Sequence, residues 1–404
     1  MATQTGYKAS ELGMIPLDWD IVEFEEICQI RKQKVNPLFQ SGEFCVELEH
    51  LEPETGLLLG NTVTKPNSSI KTVFQNGDVL FGKLRAYLRK YWLANQDGVC
   101  STEIWAFVAT NKAINPFLFY VVQTEQFIKA ASEAYGTHMP RSDWNVVKNY
   151  LLPLPPLPEQ TAIATALSDT DALISSLQTL IAKTQAVKLA AMQNLLSGKI
   201  RLPAFAQRPD GSLKTTRQTE LGCVPEDWEV LELGSVAFIK TGSKNNQDKK
   251  ENGQYPFFVR SATVEQIDTY SYDCEAILIP GEGNIGSIFH YINGKFDAHQ
   301  RVYVIRDFYN VIGKFVFFAL KQNFGKHAME NTVKATVDSL RLPTFQNFKF
   351  AIPKSTTEQT AIAQLLSDMD AEIEALEGRL KKTQSLKQGM MQTLLTGKIR
   401  LPLE

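Results

Sequence analysis

Two long segments of the chain place hydrophobic residues at alternating steps of three and four positions. The first runs from Glu159 to about Ser197 without proline or glycine, and Gly198 follows as a helix stop. The repeating positions are Leu167, Thr170, Ile174, Leu177, Ile181, Thr184, Ala191 and Leu195 in the first segment and Leu366, Met369, Ile373, Leu376, Leu380, Thr383, Met390 and Leu394 in the second. One position of each series is polar, Lys188 or Lys387. This spacing predicts two helices of about 40 residues, each about 60 Å long, with a coiled-coil seam of about four heptads.

The two helical segments belong to a repeat that covers the whole chain at a period of about two hundred residues. Residues 159–164 and 198–203 return letter for letter as 358–363 and 397–402, residues 168–171 return with one change as 367–370, and residues 8–19 are similar to 217–228. Between them, residues 25–150 and 234–350 barely resemble each other. A plain duplication would diverge more evenly, so the contrast indicates two different domains held by one repeated frame.

Pairing of the two helices within one chain is the simplest arrangement, because both carry the same seam. An antiparallel pair would place the two variable domains at opposite ends of a spacer. We therefore predict an α+β fold: two mixed α/β domains separated by two long helices that form an intramolecular antiparallel coiled coil with pseudo-two-fold symmetry. The predicted boundaries are 1–157 for the first variable domain, 158–199 for the first helix, 200–357 for a linker and the second variable domain, and 358–404 for the second helix and a tail.

Short strand-like runs dominate both variable domains. They are residues 72–74, 79–81 and 104–108 in the first domain and 276–279, 287–292 and 301–305 in the second. Helical stretches follow near 116–134 and 311–323. Asn293 and Gly294 form a dipeptide typical of a hairpin turn. Small mixed sheets fit this pattern better than a doubly wound sheet.

Basic and aromatic side chains alternate in the first variable domain. The candidates for contacts with nucleic acid are Lys65, Lys71, Lys83, Arg85, Tyr87, Arg89 and Lys90. Between Lys65 and Trp92 only Asp78 opposes their charge, and cations beside aromatic rings suit phosphate neutralisation and base contacts. A solvated charged hairpin is the alternative. The second domain offers a weaker set, namely Arg260, His299, Gln300, Arg301 and Lys334.

A second apolar face runs along the first helix beside its seam. It comprises Leu173, Leu180 and Val187, where the second helix has Glu372, Arg379 and Leu386. Two interpretations are open. The face packs on the chain's own domains, or it docks the helices of a partner protein.

Composition and charge narrow the class of protein. The net charge of −2, from 42 basic and 44 acidic residues, leaves nucleic-acid binding open, because a binding surface can be locally basic on a neutral protein. No window approaches about 18 uninterrupted apolar residues and the first residues lack signal-peptide features, so we expect a cytoplasmic protein without a membrane span. The five cysteines and five histidines are dispersed, which predicts reduced thiols and no metal site.

Two patterns that imitate active sites are rejected. Residues 281–286 satisfy G-x-G-x-x-G, but a dinucleotide site needs a helix next, and residues 287–292 read as a strand. Asp210, Asp248 and Lys250 have nuclease-like spacing but lie in turn-rich sequence. Because neither a Walker A loop, a nucleophile elbow nor an amino-methyltransferase loop occurs, we expect no catalysis and no cofactor on this chain.

Over essentially its whole length, the chain resembles the specificity subunits of type I restriction-modification systems. The firmest motifs are the proline-rich start of the first helix at 152–160 and the Leu-Leu-x-Gly-Lys-Ile-Arg-Leu-Pro endings at 195–203 and 394–402. Residues 82–90, 97–103 and 136–141 are similar to one class of the family's target-recognition domains, and residues 295–301 to another. The second helix start, 352–359, departs from the proline-rich form, so the two starts are not equivalent.

The resemblance implies a non-catalytic DNA reader in a host-defence system. Each variable domain would be a target-recognition domain for one half of a split site in double-stranded DNA, and the helices would fix the gap between the halves. Two methylation subunits would bind the constant region, and the presence of restriction subunits stays open. S-adenosylmethionine would belong to the methylation subunit and ATP to the restriction subunit.

Family motifs do not assign base contacts residue by residue, so the candidates rest on their chemistry, and Arg141 joins them for that reason. Two other functions fit the sequence less well. A fused methyltransferase or nuclease would need the missing cofactor loop or carboxylate cluster. A coiled-coil scaffold without sequence-specific DNA binding would leave two unlike, basic-aromatic domains unexplained.

Overall fold

The computed structural model describes residues 6–36, 42–65, 69–133, 140–332 and 339–402. The chain divides into two units, and each of them takes residues from both repeats. The first unit comprises residues 1–178 and 378–404, and the second comprises residues 179–377. The divisions fall inside the two long helices, so neither unit coincides with one repeat.

The two segments with heptad spacing are the long helices Leu157–Leu195 and Thr356–Leu394. In the first unit, the beginning of the first helix packs on the end of the second. In the second unit, the end of the first helix packs on the beginning of the second. The shared cores contain Leu167 with Leu394 in the first unit and Leu195 with Leu366 in the second. Within each unit the helices are therefore antiparallel, and the prediction of an antiparallel pair is confirmed.

The seam lies on the predicted face of both helices. Every seam position named above is buried or half-buried, whereas Leu173, Leu180 and Val187 of the neighbouring face are exposed. The polar seam position has a partner in each unit. Lys387 Nζ lies 2.7 Å from Asp171 Oδ1 in the first unit, and Lys188 forms the equivalent ion pair with Asp370 in the second.

The first variable domain is built on small mixed sheets. Its four-stranded antiparallel sheet has the order Tyr91–Leu93, Val79–Gly82, Ile104–Ala109, Cys28–Ile30. Its five-stranded sheet has the order Lys34–Val35, Lys71–Phe74, Gly98–Ser101, Phe44–Val46, Thr62–Val63, with a parallel pair formed by Gly98–Ser101 and Phe44–Val46. The two-stranded pairs are Tyr7–Ser10 with Gly13–Pro16 and Asp20–Glu23 with Leu151–Leu154. The short helices are Phe24–Ile27, Leu48–His50, Ala86–Leu88, Asn115–Val121, Glu125–Ser132 and Trp144–Val147.

The second variable domain has one larger sheet. Its six strands have the order Phe238–Thr241, Val302–Arg306, Tyr272–Pro280, His290–Ala298, Tyr255–Phe258, Glu265–Ile267. The two-stranded pairs are Thr216–Thr219 with Gly222–Pro225 and Trp228–Glu232 with Lys349–Pro353. The helices are Pro203–Ala206, Leu233–Val236, Asn246–Asp248, Gly313–Glu330 and Leu342–Gln346. Both domains are mixed α/β structures with small sheets, as predicted.

The hairpin turn predicted at Asn293 and Gly294 is wrong. Both residues lie inside the strand His290–Ala298, where they pair with Glu275 and Cys274 of the neighbouring strand. The long neighbouring strand supplies backbone partners along this whole segment, and that pairing overrides the local turn preference of the dipeptide. The chain reverses instead between residues 281 and 289.

The repeated Gly-Lys-Ile-Arg-Leu-Pro ending of each repeat packs on the other repeat. Gly397 (φ +71°) lies against Pro16, and a Cβ added to it would sit 2.5 Å from the proline ring. Gly198 (φ +69°) lies against Pro225 in the same way, at 2.4 Å. Only glycine combines this left-handed end of a helix with so close an approach. The Gly-Lys-Ile-Arg-Leu-Pro ending therefore completes the unit that the other repeat begins.

A buried carboxylate near the start of each long helix binds the ending of the other repeat. In the first unit, Arg400 donates to Glu159 Oε2 at 2.6 Å and to Asp18 at 2.8 Å, and the Trp19 indole donates to the same Glu159 oxygen at 2.9 Å. Hydrogen bonding from Arg400 lowers the pKa of Asp18. Glu159 is therefore held by groups from both ends of the sequence.

The second unit repeats this cluster with its own residues. Arg201 donates to both oxygens of Glu358 at 2.7 Å and to Asp227 at 2.8 Å. Burial raises the pKa of Glu358 despite the arginine. At Asp227 burial acts to raise the pKa, but hydrogen bonds from Arg201 and Lys214 outweigh it and lower the pKa to about 2. The pairing explains why the sequence keeps both the Glu-Gln-Thr-Ala-Ile-Ala and the Gly-Lys-Ile-Arg-Leu-Pro motifs.

Candidate nucleic-acid interface

The basic-aromatic segment of the first domain connects two antiparallel strands, Val79–Gly82 and Tyr91–Leu93. Arg85 and Arg89 flank a single 3₁₀ turn, and both have left-handed backbone angles, with φ of 55° and 52°. Such angles are costly for residues with a side chain, and they occur disproportionately at binding sites. The turn leaves Arg85 and Tyr87 exposed.

The structure separates the predicted cations of this domain into two groups. Lys71 is buried against Glu47, Arg89 is bound to Glu125, and Lys90 donates to the Leu48 carbonyl at 2.6 Å. Their charges are engaged within the chain. Lys65 and Arg85 are exposed and Lys83 is half-buried, and these three form no ion pair with another described residue. The unengaged positive charge therefore lies at Lys65, Lys83 and Arg85.

Backbone hydrogen bonds join three of the predicted residues of the first domain. The Lys83 N–H donates to the Glu103 carbonyl at 3.0 Å, and the Lys83 carbonyl accepts from the Ser142 N–H at 2.9 Å. The Arg85 N–H donates to the Pro140 carbonyl at 2.9 Å. We call residues 82–85, 101–103 and 140–142 the first junction. It gathers Lys83, Arg85 and the exposed Arg141 in one place.

The second domain has the same junction although its sequence differs. The Gly281 N–H donates to the Arg301 carbonyl at 2.8 Å, and the Gly281 carbonyl accepts from the Leu340 N–H at 2.8 Å. Residues 280–282, 299–301 and 339–340 form this second junction. It brings His299, Gln300 and Arg301 together.

Carboxylates face the arginines at both junctions. Arg141 Nε donates to Glu103 at 2.9 Å in the first. In the second, Glu282 lies 3.4 Å from the Arg260 guanidinium and 3.2 Å from that of Arg301. These pairs leave all three arginines about half exposed.

The remaining predicted residues of the second domain have varied environments. His299 is buried, and burial together with the nearby arginines lowers its pKa, so the ring is held neutral. Its Nδ1 accepts from the Arg301 N–H at 3.0 Å. The exposed Gln300 donates to the Asn245 side chain at 2.6 Å. Lys334 lies outside the described residues.

Both sequence patterns that imitate active sites have structural roles. Residues 281–286 precede a strand and not a helix, so no helix terminus faces a phosphate there. Asp210 accepts from the Ser212 N–H at 2.9 Å, and Asp248 accepts from the Asn245 N–H at 2.7 Å, so each carboxylate holds a local turn. Within the described ranges, no three His, Cys, Asp or Glu residues are grouped as a metal site would require. No helix there is long and apolar enough to span a membrane.

Sequence reasoning missed the carboxylates Glu103 and Glu282 and the buried Glu159 and Glu358. Glu159 and Glu358 had a signal, because they belong to the hexapeptide that recurs letter for letter. Glu103 lies in a motif already noted for its resemblance to the family, but nothing in the motif points to Arg141, 38 residues away.

Each unit contains a mixed α/β domain and segments of both long helices, and the two domains have unlike sequences. This architecture is typical of a protein that recognises two different targets. The family model for the type I restriction modification DNA specificity domain matches residues 16–186 and 225–384. The chain belongs to the family of type I restriction-modification DNA specificity proteins and carries the domain twice.

Individual relatives are similar over different lengths. The chain is 26% identical over 422 residues to the type I restriction enzyme MjaVIII specificity subunit of Methanocaldococcus jannaschii, with 96% of this chain and 94% of the relative covered. It is 34% identical over 175 residues to the EcoDI specificity subunit of Escherichia coli, with 43% of this chain and 38% of that relative covered. The similarity to EcoDI thus spans less than half of either protein.

Solved structures share the fold. The type I restriction-modification S subunit from M. genitalium matches with a TM-score of 0.65 at 16% identity, covering 98% of each chain. The HsdS subunit from Thermoanaerobacter tengcongensis matches with a TM-score of 0.51 at 20% identity, covering 95% of this chain and 98% of that one.

Proposed function

We propose that this chain is a non-catalytic DNA reader in which each variable domain recognises one half of a bipartite site. The observation that carries this proposal is the shared junction, which two domains of unlike sequence build with different side chains. A common backbone with exchanged side chains suits the reading of two different base sequences. The long helices then set the gap between the half-sites.

The chemistry of the exposed residues supports DNA as the ligand. Lys65 and Lys83 supply positive charge for phosphates, and Arg85 offers an exposed guanidinium group for a base edge of the first half-site. Arg141, Arg260 and Arg301 present guanidinium groups, which fit the acceptor pair on a guanine edge. A coiled-coil scaffold without DNA binding would account for the helices but not for these exposed groups.

Catalysis is assigned to partner subunits in this proposal. Two methylation subunits bind the helical region and carry S-adenosylmethionine, and restriction subunits, where present, carry ATP. The purified chain alone should therefore transfer no methyl group to DNA. Methyl transfer by this chain in isolation would reject the non-catalytic assignment.

Competition binding tests the DNA-reading proposal directly. Sequencing of DNA methylation in cells with and without this chain identifies the split site. We then expect the chain, with its methylation partners, to bind that duplex at least about a thousandfold more tightly than unrelated DNA at physiological salt. Both affinities should fall as salt rises, because phosphate contacts release counterions. Equal affinity for the split site and unrelated DNA would favour the scaffold function.

The exposed face of the first helix is the proposed docking surface for a methylation subunit. Leu180 and Val187 are 43% and 51% exposed, so packing on the chain's own domains does not cover them. Replacing both with serine should weaken association with the methylation subunit about tenfold to hundredfold, because buried apolar area is lost at the interface. Sedimentation or calorimetry would measure the affinity. Leu213→Ser is the control, since Leu213 is 69% exposed and is not part of either long helix. Unchanged affinity in the double variant would remove this face from the interface.

A further inference from the structure

Both junctions carry an arginine–carboxylate contact, but they assemble it from different positions. In the first junction the carboxylate comes from Glu103, at the place that Arg301 occupies in the second. The arginine comes from the incoming segment 140–142. In the second junction the carboxylate of Glu282 comes from the end of a strand, and Arg301 faces it. The two junctions thus share a backbone arrangement and an arginine–carboxylate contact, although the two side chains come from different positions.

Each contact occupies only part of the guanidinium group. At Arg141 the Nε atom makes the hydrogen bonds, at 2.9 and 3.2 Å to the two Glu103 oxygens. Its terminal nitrogens make no hydrogen bond to another described residue. At Glu282 one oxygen faces Arg260 and the other faces Arg301, and in both arginines the atom involved is Nη1. N–H groups on the opposite edge therefore stay available to a ligand.

A carboxylate beside an exposed arginine is poorly suited to a phosphate contact. It lowers the net positive charge, and it repels the phosphate oxygens. It does hold the plane of the guanidinium in one orientation, which bidentate pairing with guanine O6 and N7 requires. The junctions thus favour base reading over phosphate binding.

We propose that Glu103 and Glu282 are positioning residues that determine specificity, by orienting Arg141 and the pair Arg260 and Arg301 toward guanine edges. Glu103 acts on the half-site read by the first domain, and Glu282 acts on the half-site read by the second. This inference rests on the proposed function. It adds that guanine is the base recognised and that Glu103 and Glu282 hold the arginines that contact it.

The test uses Glu282→Gln in the full chain, assembled with its methylation partners. Duplexes in which each guanine of one half-site is replaced by adenine are compared with the parent duplex at two salt concentrations. In the variant we expect guanine discrimination in the second half-site to fall about tenfold, with the first half-site unaffected. Affinity for unrelated DNA should rise, because a negative charge is removed. In Glu103→Gln, guanine discrimination should fall in the first half-site and stay unchanged in the second.

Two further variants separate positioning from a general structural role. Arg301→Lys keeps the charge but not the planar fork, so it should lose guanine discrimination while the salt dependence stays the same. Glu265→Gln removes a partly exposed carboxylate that faces Lys249 in the same unit, and it should leave discrimination unchanged. Retained guanine discrimination in Glu282→Gln, or an equal loss of affinity for all sequences, would overturn the inference. If the wild-type protein itself fails to distinguish the split site from unrelated DNA, the proposed function fails instead.

Discussion

Replacing Arg201 with methionine is expected to destabilise the second unit by about 3–5 kcal/mol. Glu358, whose side chain is 2% exposed, would keep its burial but lose both hydrogen bonds from the guanidinium. Methionine retains an apolar stem beside the Trp228 ring, so lost packing is a minor part of the effect. Urea unfolding measures the free energy, and hydrogen exchange around residues 225–233 localises it.

The pH dependence of Arg201→Met distinguishes an unpaired charge from lost packing. Burial already raises the pKa of Glu358 above its ordinary value of 4.5, and without Arg201 the pKa should rise further. A carboxyl group with a raised pKa in the folded state penalises folding when it is ionised, and the penalty disappears as the pH falls toward the unfolded value. The destabilisation should therefore be largest at pH values above the raised folded-state pKa of Glu358 and should shrink as the pH falls toward 4.5.

Arg208→Met is the matched control for this prediction. The pair of Arg208 with Glu226 lies in the same unit, and about a third of each side chain is exposed. Exposed pairs contribute about 0–1 kcal/mol, so this variant should unfold almost like the wild type. Equal losses in the two variants would show that burial of Glu358 has no special cost.

Replacing Arg85 with alanine should weaken binding at one half-site only. The guanidinium is exposed and free of ion pairs among the described residues, so its contacts are available to DNA. We expect a loss of about 1–3 kcal/mol, roughly fivefold to 150-fold in affinity, for duplexes that contain the first half-site. Sequence discrimination at the other half-site should not change. Competition binding on duplexes altered in one half at a time measures both effects.

Lys112→Ala provides the control for Arg85→Ala. Lys112 is an exposed cation of the same unit, and Glu26 already pairs with it at 2.6 Å. Its removal changes the net charge equally but should leave half-site recognition intact. Since Arg85 has a left-handed backbone, a thermal unfolding scan of both variants checks that the turn is kept. If Arg85→Ala impaired both halves equally, the division of labour between the domains would be wrong.

The helical frame was predictable because its signal is repetitive and local. Alternating steps of three and four define one face of a helix whatever the partner, and every predicted seam residue lies on that face. Two seam positions carry a lysine where a hydrophobic residue is expected, and the sequence alone does not explain them. Lys188 and Lys387 find their carboxylates on the opposite helix, and the partner depends on the register of an antiparallel pair.

The candidate interface could be described from the sequence only as a set of charges. Lys71 and Arg89 look as available as Arg85 in the sequence, yet Glu47 and Glu125, 24 and 36 residues away, neutralise them. Composition cannot separate engaged from free cations, because the neutralising groups come from other parts of the domain. The predicted residue set therefore overestimated the free positive charge of this segment, because Lys71, Arg89 and Lys90 are engaged within the chain.

The exchange of endings between the repeats has a consequence for biosynthesis. The core of the first unit includes Leu394 and Leu395, and Arg400 neutralises its buried Glu159. During translation, the N-terminal half emerges long before those residues exist. The first unit therefore stays incomplete, without Leu394 and Leu395 in its core and without Arg400 beside Glu159, until the end of the second long helix has been synthesised and packs on it.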